Sequence, residues 1–290
     1  MDTSSTSFYH KTPNGTNVHF TQTGNPSGPL IILLHGLGGS IETFQPILSS
    51  LSPHINRLVC VDLEGFGQTT LFSPDTRLSL PRYVDDLENL VASLQDPPRG
   101  SSEKNLLFIG HSLGAIISMH YASRHPDQVR GLALLGAGRS VAHIPVGRER
   151  MLGLATKTRT EGIQAAAEIA ATSNFPLQVT VESELRRSVR KAVASCDPES
   201  YARACEAVAG LDHLDPDYSL ISAPTLLLTG SGDIISPPER SLGLQELIGD
   251  NAWVNILEGV GHQMLLQDLG GSIEALETLL QKVDKEISQS

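Results

Sequence analysis

The residues best suited to chemistry lie in the pentapeptide Gly110-His111-Ser112-Leu113-Gly114, which follows a run of apolar residues. The pattern G-x-S-x-G is typical of a serine nucleophile on a sharp strand-to-helix turn, because flanking glycines remove the side chains that would collide there. The chain has 26 glycines in 290 residues, so chance alone produces the pattern roughly once in four such chains. Its meaning therefore depends on its surroundings.

A serine hydroxyl is a weak nucleophile that needs a base, and the base needs an orienting group. Two candidates follow later apolar runs: Asp233 ends the stretch TLLLTGSGD, and His262 follows WVNILEG in a glycine-flanked loop. The chain order Ser, Asp, His accompanies a nucleophile on such a turn. We therefore predict Ser112 as nucleophile, His262 as base and Asp233 as the acid that orients it.

A glycine-rich segment, LLHGLGGS, predicts the oxyanion hole. Gly36 and Gly38 let the backbone approach a substrate closely, and the amides of Leu37 and Leu113 are the predicted oxyanion donors. One such donor typically contributes about 3–4 kcal/mol of transition-state stabilisation. We expect His35 to anchor this loop rather than to act as an acid or a base.

Six short apolar runs that end in or near glycine predict the strands that position these residues: PLIILLHG, RLVCVDLEG, NLLFIGHS, VRGLALLG, PTLLLTGSGD and WVNILEG. Near-continuous apolar runs are typical of parallel strands covered on both faces. SFYHKTPNG and TNVHFTQTG alternate in polarity and predict an opening hairpin. Helices are predicted at about 42–51, 80–95, 113–125, 237–248 and 268–283. The fold class is therefore α/β, with a mostly parallel central sheet flanked by helices. In such sheets the functional residues lie at the carboxyl ends of the strands.

The alternation stops between Arg139 and Tyr218, where only helix-like segments occur. We predict that residues 139–218 form a helical cap insert and that residues 1–138 and 219–290 form the core. Asp197-Pro198-Glu199 within this interval is typical of a helix start. The basic stretch RRSVRK at 186–191 is balanced by acidic residues elsewhere in the interval, which favours a solvated helix face over an anion-binding patch.

The segments HGLGGS, VDLEGFGQT, GHSLGA, LLTGSGDIISPP and EGVGH resemble the α/β-hydrolase superfamily over nearly the whole chain. Their spacing and the helical insert most resemble the group of 3-oxoadipate enol-lactonases, small carboxylesterases and cofactor-free haloperoxidases. The resemblance implies the same roles for Ser112, Asp233 and His262, a cap over the pocket, and cleavage of a carboxylic ester or lactone of a small molecule. The sequence departs from the group at Glu64, where relatives often carry Arg or Pro, and at Thr69, where they often carry Ser.

Composition limits the partners and the compartment. The net charge of −11 argues against nucleic acid and anionic membrane surfaces, and no apolar run approaches the ~20 residues that span a bilayer. We see no secretory signal in the first fifteen residues, and three cysteines do not make a disulfide framework, so we expect a cytoplasmic protein. No His, Cys or Asp cluster has ligand spacing, so we expect neither a metal nor a cofactor.

Other interpretations use the same residues. A dinucleotide-binding turn with Asp62 as its ribose-binding acid would need a third glycine at position 41, which is Ile. An aspartate nucleophile is excluded if Ser112 occupies the turn. A hydrolase-fold ligand receptor can retain an intact triad, and C–C bond hydrolysis can run on the same groups, so both stay open as alternatives. An unbroken triad favours catalysis.

Overall fold

One eight-stranded sheet forms the centre of the protein. The computed structural model describes residues 5–95, 105–178 and 183–289, with side chains up to residue 285. The strands are β1 Thr6–Lys11, β2 Asn17–Gly24, β3 Leu30–Leu34, β4 Arg57–Val61, β5 Leu106–His111, β6 Val129–Leu135, β7 Thr225–Gly230 and β8 Ala252–Leu257. Their spatial order is β1-β2-β4-β3-β5-β6-β7-β8. β1 and β2 form the predicted antiparallel hairpin, β2 pairs antiparallel with β4, and β3 to β8 are parallel.

Helices cover both faces of this sheet. After a 3₁₀ helix at Ile41–Leu51 come α1 Leu80–Leu94, α2 Leu113–Arg124, α3 Pro145–Glu161, α4 Ile163–Ser173, α5 Glu184–Ala194, α6 Pro198–Val208, α7 Pro238–Ile248, α8 Met264–Gln267 and α9 Leu269–Gln289. One apolar layer joins the sheet to the 3₁₀ helix and α9. The other joins it to α1, α2, α7 and the helices between β6 and β7. Because both faces are covered, every residue of the central strands β3, β5, β6 and β7 is buried, and the predicted α/β fold is confirmed.

The first predicted helix differs from the expectation in its geometry. Residues 41–51 form a 3₁₀ helix that contains Pro46. Proline has no backbone N–H and clashes with the preceding turn of an α-helix, which disfavours the α form in this segment. A second difference is the short helix α8, which the sequence analysis did not predict and which begins two residues after His262.

Helices α3 to α6 occupy the interval between β6 and β7, and we call residues 139–218 the insert. Among its described residues there is no strand. Residues 179–182 of the insert lie outside the described part, and so do residues 1–4, which belong to the N-terminal stretch considered for a secretory signal. Asp197 caps α6 by accepting from the Ser200 amide at 2.8 Å, which confirms the predicted helix start. The two ends of the insert are tied together because Asp215 accepts from Arg139 at 2.6 Å and from the Ser140 amide at 2.8 Å.

The basic stretch 186–191 is only partly the solvated face that we predicted. Arg187 and Arg190 pair with acidic residues of the insert, Glu184 and Glu168. Arg186, in contrast, is buried, and its guanidinium lies 4.7 Å from the ring centroid of Phe175. The aromatic face and the Ala171 carbonyl, which accepts from Arg186 at 2.6 Å, replace water around this cation.

Candidate active site

Ser112 lies at the turn between β5 and α2. Its backbone has φ 51° and ψ −110°, a conformation that is strained for a residue with a side chain. The Ser112 amide donates to the Leu135 carbonyl at the end of β6, at 2.9 Å. This turn therefore holds the hydroxyl at the carboxyl edge of the sheet, as the pentapeptide predicts.

The two flanking glycines allow the turn to pack closely. A Cβ on Gly114 would lie 2.0 Å from the Leu34 carbonyl oxygen, and a Cβ on Gly110 would lie 2.5 Å from the Gly114 oxygen. Real Cβ atoms do not approach other atoms so closely, so no other residue fits at either position without movement of the backbone. The glycines thus allow α2 to pack directly against the end of β3.

The structure pairs the predicted acid and base. Asp233 follows β7, His262 follows β8, and His262 Nδ1 donates to Asp233 Oδ2 at 2.7 Å. Asp233 Oδ1 accepts from the amides of Ile235 and Ser236, each at 2.8 Å. Burial opposes ionisation of Asp233, but the neighbouring imidazole and these two amides outweigh it and hold the pKa of the carboxyl below its usual value. With Nδ1 donating, His262 Nε2 is the acceptor nitrogen of the ring, and no hydrogen bond occupies it within the described residues.

His111 connects this pair to the serine turn, a role that the sequence analysis missed. His111 Nε2 donates to the backbone carbonyl of His262 at 2.9 Å, and the two rings lie 4.9 Å apart. Burial, together with the neighbouring imidazole, lowers the pKa of His111 to about 3. His111 is therefore neutral near pH 7 and can serve as a fixed hydrogen-bond donor beside Ser112.

Two backbone amides beside Ser112 have no internal partner. Neither the Leu37 nor the Leu113 N–H donates to any acceptor in the described part of the chain. Leu113 begins α2, so its amide also lies at the positive end of that helix. A Cβ on Gly36 would lie 2.9 Å from Ser112 Cβ, which places the Leu37 segment directly against the serine. These two amides are therefore available as donors, which the predicted oxyanion hole requires.

The glycine-rich segment at residues 35–40 is anchored at both ends, and we call it the oxyanion loop after the role predicted for it. His35 Nδ1 donates to the Gly36 carbonyl at 2.8 Å, and His35 Nε2 accepts from the Leu63 amide at 3.1 Å. Burial lowers the pKa of His35, which keeps Nε2 free to accept. At the other end, Asp62 Oδ1 accepts from the Ile41 amide at 2.8 Å. His35 thus has the anchoring contacts that we expected, whereas the part played by Asp62 was not foreseen.

The insert contacts the oxyanion loop through apolar side chains. Gly38 has a positive φ of 76°, and a Cβ there would lie 2.8 Å from Val193 Cγ2 and 3.2 Å from the Tyr201 ring. Val193 and Tyr201 belong to the same apolar cluster as Leu113, as does Phe175 from the end of α4. The insert therefore contacts the glycine-rich segment that lies beside Ser112 through apolar side chains.

The two departures from the hydrolase pattern lie in a buried polar network around β2. Arg82 donates to both carboxylate oxygens of Glu64, which is buried. Thr69 Oγ1 accepts from the His19 amide at 2.8 Å. Neither Glu64 nor Thr69 forms a hydrogen bond to the three predicted catalytic side chains, so these departures leave the site itself intact.

Within the described residues, no group of three or more His, Cys, Asp or Glu side chains is placed to hold a metal ion, and no helix there is long and apolar enough to span a bilayer. The three cysteines, Cys60, Cys196 and Cys205, are free thiols.

Comparison with known proteins assigns the family. The family model described as serine aminopeptidase, S33, matches residues 25–268. The chain belongs to this family, within the α/β-hydrolase superfamily. This hydrolase is 26% identical over 276 residues to 2-hydroxy-6-oxo-2,4-heptadienoate hydrolase of Pseudomonas putida, a match that covers 93% of this chain and 94% of the relative.

Solved structures agree on the fold of the hydrolase. An esterase from Thermogutta terrifontis superposes with a TM-score of 0.81 at 24% identity, covering 96% of this chain and 99% of the esterase. The enol-lactonase from Burkholderia xenovorans LB400 superposes with a TM-score of 0.76 at 23% identity, covering 94% of this chain and 100% of the lactonase. At these identities the likeness establishes the α/β-hydrolase fold.

Proposed function

We propose that this hydrolase cleaves a carboxylic ester or lactone of a small molecule through an acyl-enzyme on Ser112. The observation that carries the proposal is the hydrogen-bonded pair Asp233–His262, which His111 ties to the turn that holds Ser112. The strained backbone of Ser112 supports it, because strain at a serine between a strand and a helix is typical of an exposed nucleophile.

The first half of the reaction forms the acyl-enzyme. His262 Nε2 takes the proton of Ser112 Oγ as the oxygen attacks the carbonyl carbon, while Asp233 holds the ring and stabilises its protonated form. The amides of Leu37 and Leu113 donate to the oxyanion of the tetrahedral intermediate. His262 then gives the proton to the departing alkoxide, which leaves as an alcohol, or stays attached to the acyl chain when the substrate is a lactone.

The second half regenerates the enzyme. A water molecule gives a proton to His262 Nε2 and attacks the acyl carbon, and the same two amides donate to the new oxyanion. Collapse of this intermediate breaks the bond to Ser112 Oγ, which recovers its proton from His262, and releases a carboxylic acid. The chemistry uses only side chains and backbone amides, so the proposal includes no metal or cofactor.

The insert supports a small substrate with an aliphatic acyl group. Val193 and Tyr201 pack on the oxyanion loop, and hydrocarbon beside this loop favours an apolar acyl group over a charged one. We therefore propose residues 139–218 as a cap over the site, and we retain the cytoplasm as the compartment. The Pseudomonas putida relative favours a second candidate, hydrolysis of a C–C bond in a small oxo acid by the same three side chains.

Labelling with a fluorophosphonate tests the nucleophile. Intact mass would be measured for the parent protein, for Ser112→Ala, and for a matched control, Ser93→Ala, on the outer helix α1. We expect a single adduct on the parent and the control and none on Ser112→Ala. Turnover of short esters, lactones and oxo acids should fall about 10⁵–10⁶-fold in Ser112→Ala if the three residues act as a unit.

The substrate panel separates the candidates. Turnover of esters or lactones supports the proposal, and turnover of oxo acids alone supports the second candidate. An adduct with slow single-turnover hydrolysis and a stably modified protein supports a ligand receptor. The absence of any adduct on the parent would refute Ser112 as a nucleophile.

A further inference from the structure

The insert contacts the predicted catalytic loops at one corner, residues 174–176, which we call the insert corner. It follows α4 and enters between the loop that carries Asp233 and the loop that carries His262. A Cβ on Gly261 would lie 2.5 Å from the Asn174 carbonyl oxygen, and a Cβ on Gly232 would lie 2.8 Å from Pro176 Cβ. A glycine on each loop therefore gives the corner its space.

Three hydrogen bonds cross from Asn174 to the loop of His262. The Asn174 carbonyl accepts from the His262 amide and from Gln267 Nε2, each at 2.9 Å. Its side-chain Oδ1 accepts from Gln263 Nε2 at 2.7 Å. Asn174 is 8% exposed, so these bonds form away from bulk water, where a lost partner is costly.

The remaining hydrogen bonds of Asn174 hold the corner against the end of α4. Its Nδ2 donates to the Ala170 carbonyl at 2.8 Å, and its backbone amide donates to the same carbonyl at 3.1 Å. Asn174 therefore connects the end of α4 rigidly to the residue that carries the base. On the opposite side, His111 donates to the His262 carbonyl, so the two backbone groups of His262 are held by two different parts of the molecule.

From this geometry we infer that Asn174 is a positioning residue for His262: the insert supports the general base as well as covering the site. The inference rests on the proposed function, in which His262 transfers the proton of Ser112. A catalytic base must be held to within about 0.5 Å of its productive position, and misplacement by about 1 Å can cost 100-fold in rate. Loss of the corner contacts should therefore reduce the rate of the chemical step rather than the binding of substrate.

A double-mutant cycle tests the inference. Asn174→Ala, Gln263→Ala and the double variant would be compared with the parent in two assays, the rate of labelling by a fluorophosphonate and the hydrolysis of p-nitrophenyl butyrate. Asn174→Ala keeps the backbone carbonyl but removes the side-chain hydrogen bonds to Gln263 and Ala170. We therefore expect a partial effect: labelling and kcat fall about tenfold, while KM changes less than about twofold. Because the two side chains share the hydrogen bond from Gln263 Nε2 to Asn174 Oδ1, the double variant should be no slower than the slower single variant.

A matched control separates positioning from general loosening of the insert. Thr158 is buried in α3, and its hydroxyl donates to the Leu154 carbonyl at 2.8 Å, without a hydrogen bond to the loop of His262. Thr158→Ala should lower the Tm yet label within about twofold of the parent rate.

Two results would overturn the inference while leaving the proposed function standing. One is labelling of Asn174→Ala at the parent rate, and the other is multiplication of the two single effects in the double variant. A parent protein that takes no label at Ser112 would overturn the proposed function and this inference together.

Discussion

Because His111 is buried and neutral, we expect the free energy of unfolding to fall by a definite amount as the pH is lowered. The pKa of His111 is lowered from its ordinary value of 6.5 to about 3, mainly because burial penalises the charged ring. In the unfolded chain the ring is solvated and takes up a proton as the pH falls below 6.5. Since only the unfolded state binds this proton between pH 6.5 and pH 3, acidification favours unfolding over that range.

The magnitude follows from the two pKa values. A histidine with an unfolded pKa of 6.5 and a folded pKa of about 3 lowers the free energy of unfolding by about 3 kcal/mol when the pH falls from 7 to 4. In His111→Gln the amide can still donate to the His262 carbonyl but has no titrating group. We therefore expect the variant to lose about 3 kcal/mol less than the parent over the same interval.

Urea unfolding followed by circular dichroism at pH 7 and pH 4 provides the measurement, because the free energy of unfolding is obtained at each pH by linear extrapolation. Carboxylates also titrate in this interval, but they are shared by parent and variant and cancel in the difference. His54→Gln is a suitable control, since His54 is exposed. Equal acid losses in His111→Gln and in the parent would refute the assignment of a buried neutral imidazole.

Two further predictions test the acid of the triad and the serine turn. Asp233→Asn should lower ester turnover about 10⁴-fold, the typical loss when a triad acid becomes an amide. Asp215→Asn should lower it less than about tenfold, and comparable losses for the two variants would contradict the assignment of Asp233 as the acid. Gly114→Ala would place a methyl carbon 2.0 Å from the Leu34 carbonyl oxygen, so we expect a large fall in Tm or no folded protein. Gly153→Ala is its control, because a Cβ there meets nothing within 4 Å and should raise the stability by about 0.5–1 kcal/mol; thermal denaturation of both variants checks the contrast.

Local sequence patterns account for what could be predicted. The buried strand β3 is apolar throughout and β5 is apolar up to Gly110, and a glycine lies in or near the end of each, so the sequence indicates the positions of both strands and of their carboxyl ends. Ser112, Asp233 and His262 follow such strands. The topology of an α/β sheet brings strand ends to one edge, and this together with the chain order Ser, Asp, His is why Asp233 and His262 could be expected close together.

Contacts between distant segments account for what could not be predicted. His111 donates to a carbonyl 151 residues further along the chain, and nothing in its own neighbourhood indicates that partner. Asn174 reaches the loop of His262 only because of how α4 ends. Arg186 belongs to a basic run that is typical of a solvated face, and the aromatic ring that covers it comes from the segment that follows α4. Such roles depend on contacts between segments far apart in the chain, which no local pattern encodes.

The attachment of the insert has a consequence for how such enzymes diversify. It leaves the sheet after β6 and returns before β7, and these two strands are direct neighbours, with Leu132 opposite Thr225. Lengthening or replacing the intervening chain therefore disturbs no strand pairing, which makes this position a natural place to graft a new specificity module. The insert corner restricts that freedom. On the positioning role proposed for Asn174, a transplanted module must also bring a turn that fits between the two glycine-containing loops and holds His262 in place.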